Sequence, residues 1–435
     1  MKISILTAML TAAFALTAGA QSPDNEVWSY AECVAYARDH NITLQKMRLS
    51  EQTTELSLEE AKAQWQPSLD FSTSHSFANA PWGVGDKNSY NGQIGLNAGW
   101  TVWNGGEREK TIERNKLNTE ISRLDTEDAL RSIETELLQV YLNILYAREA
   151  ITIQEEAAKL SGAQADRMRQ LMEAGRASKV DYAQLKAQYE QDLYNVVNAQ
   201  GTYDMRRMEL KKLLELGIEN NVELEQVEVT AEQILAELPP MDESYRLAVA
   251  TDIKLRGLKL EEEGAGLDID IARASRLPNI ALNAGVGTGY YAPGGPFGEQ
   301  VKHGFGENIG LTLSLPIFDQ KRTQTAVAKA KVQQLDARLD SELRYTELAQ
   351  AVENWYIDTR SSQSRFRAAE QQLASAEATD ELTNEQFNLG LVNPVELMNS
   401  HNNVVDARKA LLQAKYMALL GRKMIEYYRT STVSL

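Results

Sequence analysis

The sequence predicts an α+β membrane protein of two tandem repeats. Each repeat holds one β-hairpin and a pair of long antiparallel helices of coiled-coil type. Three observations predict this. First, FNLGLVNPVELMNS (Phe387 to Ser400) echoes MEAGRASKVDYAQL (Met172 to Leu185), and Gly390 follows Gly175 at the same interval as Glu396 follows Asp181. Punctuation that recurs at one long offset indicates an internal duplication. Second, four segments alternate apolar and polar residues with a period of two. Third, Lys321 to Leu389 runs without a single Gly or Pro. As a helix it reaches about 100 Å at 1.5 Å per residue.

The chain is expected to open with an export signal. Lys2 gives a positive start, Ile3 to Leu16 is mostly apolar, and Ala18-Gly19-Ala20 is a small-residue cleavage site before Gln21. The apolar run is too short for a spanning helix, and no later stretch is apolar for that length. The expected organisation is a signal at 1–20, a first repeat at 21–216, a linker at 217–241 and a second repeat at 242–435. Loss of Lys2 takes the formal charge from −16 to −17, which argues against nucleic acid as a partner. Cys33 is the single cysteine and forms no internal disulfide; it is expected to pack as a small apolar residue.

Both repeats begin with a short helix, a pause and a second helix. In the first, Ser29 and Glu32 form a capping box. The helix pauses at Asp39-His40-Asn41, resumes at Ile42 and stops at Pro67. In the second, Asp242 to Ala250 is followed by a break at Thr251-Asp252 and a helix to Arg276, before Pro278. Gly257, Gly264 and Gly266 weaken that last helix.

The strands come next. Leu69, Phe71 and Phe77 share one face of Ser68 to Ala78. Ile94, Leu96, Ala98, Trp100 and Val102 do so in Gln93 to Val102. Ile280, Leu282, Ala284 and Val286 repeat the pattern, and so do Ile309, Leu311, Leu313 and Leu315. The opposite faces carry Gly, Ser, Asn and Thr. The result is two hairpins, 67–103 and 278–318, with loops at 79–91 and 291–306. Strands of this length with an apolar and a polar face fit a membrane barrel with a wet lumen. Trp82, Trp100, Trp103, Tyr290, Tyr291 and Phe318 gather at strand ends, as interfacial aromatics do. Four strands cannot close a barrel, and open edges cannot sit in lipid. Several chains must therefore share one: two copies give eight strands and three give twelve.

Long helices follow at 107–174 and 320–389, each with a return helix, at 179–216 and 393–428. Ile133, Leu137, Tyr141 and Ile144 form a seam that reappears at the repeat offset as Leu348, Val352, Tyr356 and Thr359. Ala407, Ala410, Ala414 and Ala418 read as a small-residue stripe. Gly390 stops the long helix, Asn393 caps the return helix, Pro394 is its first residue and Glu396 its third. Gly175, Ser178, Lys179 and Asp181 play the same parts. Both acids sit where a carboxylate favours a helix N-terminus by ~0.3–1 kcal/mol.

With these residues in view, the chain resembles the TolC family of outer-membrane efflux channels. The tips FNLGLVNPVE and AGRASKVDY and the corners TVWNGGE and LPIFDQK carry the resemblance, which covers essentially all of the chain after the signal. It implies a homotrimer in outer-membrane lipid, with a shared twelve-stranded β-barrel and a periplasmic α-barrel. It places Gly217 to Pro240 in an equatorial belt. It implies a channel of a tripartite efflux or type I secretion system, working with a periplasmic adaptor (membrane fusion) protein and an inner-membrane pump. Glu396 and Asp181 match acids of the family's periplasmic aperture. Asn399 stands where the family has a second constricting acid, and Val392 where it has a tip arginine. Arg176 is the residue available to replace that arginine. Gly175, Arg176, Ala177, Gly390, Leu391 and Val392 match the adaptor-docking tips.

No enzyme chemistry is legible. Gly285-Val286-Gly287-Thr288-Gly289 lacks the spacing of a dinucleotide loop. His40, His75, His303 and His401 lack metal-ligand spacing. No cofactor or metal is expected. The competing reading, a periplasmic coiled-coil adaptor or scaffold, explains the helices and leaves the paired strands without a purpose.

Overall fold

The computed structural model describes residues 27–83, 86–220 and 222–435. The expected export signal lies outside them. The elements run β1 (Val27–Trp28), α1 (Tyr30–His40), α2 (Ile42–Ala63), β2 (Ser68–Asn79), β3 (Asn88–Trp103), α3 (Glu107–Glu173) and α4 (Lys179–Leu213). They continue with β4 (Glu223–Leu224), α5 (Ala231–Leu235), α6 (Met241–Thr251), α7 (Ile253–Ala274), β5 (Asn279–Ala292) and α8 (Phe297–His303). Last come β6 (Gly306–Ser314), α9 (Arg322–Asn388) and α10 (Pro394–Thr430). No described helix is long and apolar enough to cross a membrane.

The chain divides into two compact units, each drawing on both sequence halves. One takes the described residues up to Ile42 with 131–247 and 352–435; the other takes 43–130 and 248–351.

In the first unit, β1 and β4 pair in parallel, Val27 opposite Glu223 and Trp28 opposite Leu224. Tyr141 fixes this bridge, its phenol donating to Trp28 O (3.2 Å) and Glu225 O (2.9 Å). Tyr356, its counterpart in the second repeat, donates to Pro239 O at 2.8 Å and meets Ser244 Oγ at 2.8 Å. Two seam tyrosines thus tie down the chain that leads into each repeat. Every seam position of both repeats is buried, Thr359 included. Thr359 is small because α10 lies against it: a Cβ on Gly421 would overlap its hydroxyl. Ala407, Ala414, Ala418 and Gly421 form the buried stripe, whereas Ala410 is exposed. The expected stripe therefore shifts to a heptad-like spacing, because the facing helices follow a coiled-coil seam. Cys33 is fully buried, which pushes its thiol up to about 12. Burial also raises the phenols of Tyr30, Tyr141 and Tyr416.

In the second unit, the four long strands form one antiparallel sheet in the order β2-β3-β5-β6. The two hairpins are joined by β3–β5 pairing, Leu96 opposite Val286 and Ala98 opposite Ala284. One irregularity alters the expected alternation. The register slips between Thr101 and Trp103, so Trp103, not Val102, lies opposite Ile280. A bulge of this kind turns the strand into its corner. Arg108 of α3 locks that corner while almost fully buried. Its guanidinium donates to Gln64 O (2.9 Å) and Thr101 O (2.7 Å) and lies 4.0 Å from the Trp65 ring centre. In α7, Gly264 leaves room for the Arg114 guanidinium, which pairs with Glu261 at 2.9 Å and Asp268 at 3.3 Å. Asp252 caps α7 through Leu255 N at 2.6 Å and holds Arg344 of α9 at 2.7 Å.

Candidate functional sites

The sheet has two chemically distinct faces. Residues directly opposite one another in an antiparallel ladder point to the same side. One side carries Phe71, Leu96 and Val286 in one row and Leu69, Ala98, Ala284 and Ile309 in the next, with Leu282 opposite Leu311 and Ile280 opposite Leu313. These apolar side chains are not covered: Leu69, Phe71, Ile309, Leu311 and Leu313 are each more than 65% exposed. A contiguous apolar face of this kind marks a surface meant for lipid or another apolar partner. Glu307, opposite Val286 at the start of β6, is the one carboxylate on it among the described strand residues.

The other side is polar and small. Ser72 faces Gly95, which faces Gly287, and Asp70 faces Asn97, which faces Gly285. Asn97 donates to Ser72 Oγ at 3.1 Å. The expected glycine run 285–289 lies here on β5, in a strand and not in a loop before a helix. The outer edges of β2 and β6 have no strand partner in the sheet.

The helical tips belong to the first unit and are built alike. At Gly175 (φ +72°) the chain turns left-handed; Arg176 N donates to Leu171 O at 2.8 Å and Gly175 N to Met172 O at 3.0 Å. At Gly390 (φ +75°), Leu391 N donates to Gln386 O at 2.9 Å and Gly390 N to Phe387 O at 3.0 Å. Both are Schellman endings, in which two bonds satisfy the last carbonyls of the helix. A side chain in that conformation is strained, which accounts for glycine at both places.

The return helices differ in one respect. Ser178 Oγ accepts from Asp181 N at 3.0 Å, and Asp181 Oδ2 accepts from Ser178 N at 3.4 Å, a closed capping box. Asn393 Oδ1 accepts from Glu396 N at 3.0 Å, but Glu396 returns no bond. The carboxylate of Glu396 is exposed, as is Asn399 one turn on. Leu391 is exposed, Val392 half-buried and Arg176 exposed. Ala177, Phe387 and Met398 all pack against Ala165, Met168 and Leu185, so one apolar cluster draws on both tips. Arg167 of α3 also donates to Asn388 beside Gly390. Sequence reasoning missed Arg167, since a pairing between residues so distant in the chain leaves no periodic trace. Further along α10, His401 is buried with Nδ1 4.0 Å from Asp380 Oδ2.

Comparison with known proteins decides the relationship. The family model for outer membrane efflux protein matches residues 34–216 and 244–420. The chain belongs to the outer membrane efflux protein family. That family is one of outer-membrane efflux proteins. The chain is 21% identical over 321 residues to the alkaline protease secretion protein AprF of Pseudomonas aeruginosa, covering 70% of this chain and 63% of that one. It is 22% identical over 294 residues to the outer membrane protein TolC of Escherichia coli, covering 66% and 59%. The aligned regions thus span less than two thirds of these relatives' lengths. The structure of CusC, described in terms of folding and transmembrane channel formation, superimposes with a TM-score of 0.79 at 18% identity, over 93% of this chain and 94% of that chain. This likeness establishes a shared helix-rich α+β fold.

Proposed function

We propose that three copies of this chain form one outer-membrane channel of a tripartite efflux or type I secretion system. The observation that carries this is the four-stranded sheet with one uncovered apolar face and two open edges. Lipid satisfies the face, and only strands of further copies satisfy the edges. Three copies give twelve strands. Long helical stripes support the same assembly: Ile42, Leu49 and Leu56 on α2 recur at heptad spacing and are exposed, as are Val332, Leu335, Leu339 and Leu343 on α9. Heptad-like spacing of uncovered apolar residues calls for facing helices.

In this reading the two repeats each contribute a hairpin to the barrel and two long helices to a periplasmic α-barrel, with residues 217–241 between them. The polar sheet face lines the passage. The tips Gly175, Arg176, Ala177, Gly390, Leu391 and Val392 receive a periplasmic adaptor whose inner-membrane pump supplies the cargo, a small molecule or a protein. Glu396 rings the periplasmic aperture, with Asp181 beside it and Asn399 one turn deeper. Exposure of the Glu396 carboxylate, with no bond to its own cap, supports that assignment. A scaffold reading leaves the apolar sheet face unexplained.

Mass measurement of the purified chain in mild detergent tests the assembly; three copies are expected. A monomer that inserts stably into lipid would falsify the shared barrel.

A further inference from the structure

β6 stops pairing at Gly306, opposite Gly287, so the end of β5 from Thr288 to Ala292 has no β6 beside it. The edge is nevertheless occupied. Gln300 of α8 accepts from Tyr291 N at 2.7 Å and donates to Gly295 O at 2.8 Å. Thr288 Oγ1 donates to Val301 O at 2.6 Å. A helix here covers a strand edge that would otherwise expose backbone groups.

The face on which α8 lies matters more. Thr288 pairs with Ile94 and Tyr290 with Gly92, so both side chains stand on the apolar side of the sheet. A row of rings crosses that side. The centroids of His75 and Tyr90 are 6.0 Å apart, those of Tyr90 and Tyr290 5.4 Å, and those of Tyr290 and Phe297 4.7 Å, the last pair edge-on. Tyr290 can lean across β3 because Gly92 has no side chain; a Cβ there would lie 2.5 Å from the ring. The row thus passes from β2 through β3 and β5 to α8, where Phe297 takes the place that β6 leaves empty. Phe297 is 61% exposed, and Phe305, between α8 and β6, is 63% exposed. Lys302 and His303 are exposed beside them.

We propose that α8 is a lipid-contact element, with Phe297 completing an aromatic girdle at the headgroup–acyl boundary on the loop side of the sheet. Rings that carry a polar tip or border a polar rim settle at that boundary. Continuity with the apolar band sets the occupant: the same surface that takes acyl chains along Leu311 and Leu96 takes headgroups at Phe297. The inference rests on the lipid-facing reading of the sheet given above.

The test uses the full chain in phosphatidylcholine vesicles containing nitroxide lipids, labelled either near the headgroup or deep in the acyl chain. A fluorophore is attached at Gly298→Cys, Leu311→Cys or Ser74→Cys. Cys33 is fully buried and its thiol is pushed up to about 12, so it stays unlabelled. Gly298 is open, and a side chain added there meets nothing within 4 Å. Headgroup nitroxide should quench the label at 298 more than deep nitroxide, with the reverse order at 311 and little quenching at 74. Phe297→Ala should reduce the shallow quenching at 298 and leave that at 311 unchanged. If 311 is quenched but 298 is no more quenched than 74, the α8 proposal is overturned while the barrel reading survives. If 311 is not quenched, both are overturned. Unchanged shallow quenching in Phe297→Ala removes Phe297 as the anchor.

Discussion

Asp181 and Glu396 occupy equivalent third positions of two helices, yet only Asp181 spends its carboxylate on its own cap. The sequence shows both as capping acids. It does not show that one closes the box and the other leaves its charge free, because that depends on the side-chain conformation. In the proposed trimer, a Glu396 charge repeated in three copies at the aperture should enrich cations and disfavour anions. Glu396→Gln should therefore weaken cation selectivity and block by a trivalent cation in planar-bilayer recordings. It should leave assembly nearly intact, since the lost helix-end interaction is worth ~0.3–1 kcal/mol. Asn399→Asp should tighten the block. Unchanged block in Glu396→Gln would leave that residue a helix cap only. A second carboxylate has a consequence for stability. Asp128 of α3 is pushed above the usual carboxylate range by burial and by nearby Asp252, with Asp125 adding to this and Arg344 and Lys254 opposing it. A raised carboxyl binds more protons folded than unfolded, so its ionisation weakens the fold as pH rises through the folded value. Melting followed by circular dichroism should show the wild type falling further behind Asp128→Asn as pH rises towards 7. Asp128→Asn should raise the melting temperature at pH 7; a lower melting temperature would contradict the assignment.

Elements whose signal is local were readable. The tip glycines, the Ser29 box, the Ser178 cap and the break at Asp252 all appear within a few residues of where the sequence puts them. The same locality makes a prediction. Gly390→Ala or Gly175→Ala forces a side chain into left-handed backbone, costing roughly 1–2 kcal/mol, and should lower the melting temperature. If the tips receive an adaptor, as proposed, bulkier residues there should abolish export while trimers persist; full export with Gly390→Val would remove the tip from docking. Elements set by distant partners were not readable. The β1–β4 pair is two residues long and joins segments far apart in sequence. The slip beside Val102 breaks a period of two that looks perfect on paper. α8 did leave a trace, Pro296 before it and Gly304 after it, the usual brackets of a helix. It was submerged in a glycine-rich loop.

At the scale of the molecule, neither the joining of the hairpins through β3 and β5 nor the mixing of both halves in each compact unit is visible in a linear pattern. What the sequence does show is surplus: apolar stripes that one chain leaves uncovered. Leu335 and Leu339 are each more than half exposed on α9. Leu335→Glu with Leu339→Glu should leave a single chain folded but prevent association, since burying one leucine is worth about 1.5–3 kcal/mol and each loss is repeated in every copy. Native trimers in mild detergent would show that this stripe lies outside the contact. The polar face of the sheet has a further consequence. Gly95, Gly287 and Gly306 stand side by side across three strands, bordered by Ser and Asn. A surface of bare backbone offers a travelling solute neither a foothold nor a snag. In the proposed channel, dwell time on such a wall is short for uncharged cargo, so the outer part of the path should sort at most by charge, at Asp70 in the adjoining row, and further selection is left to whatever loads the far end.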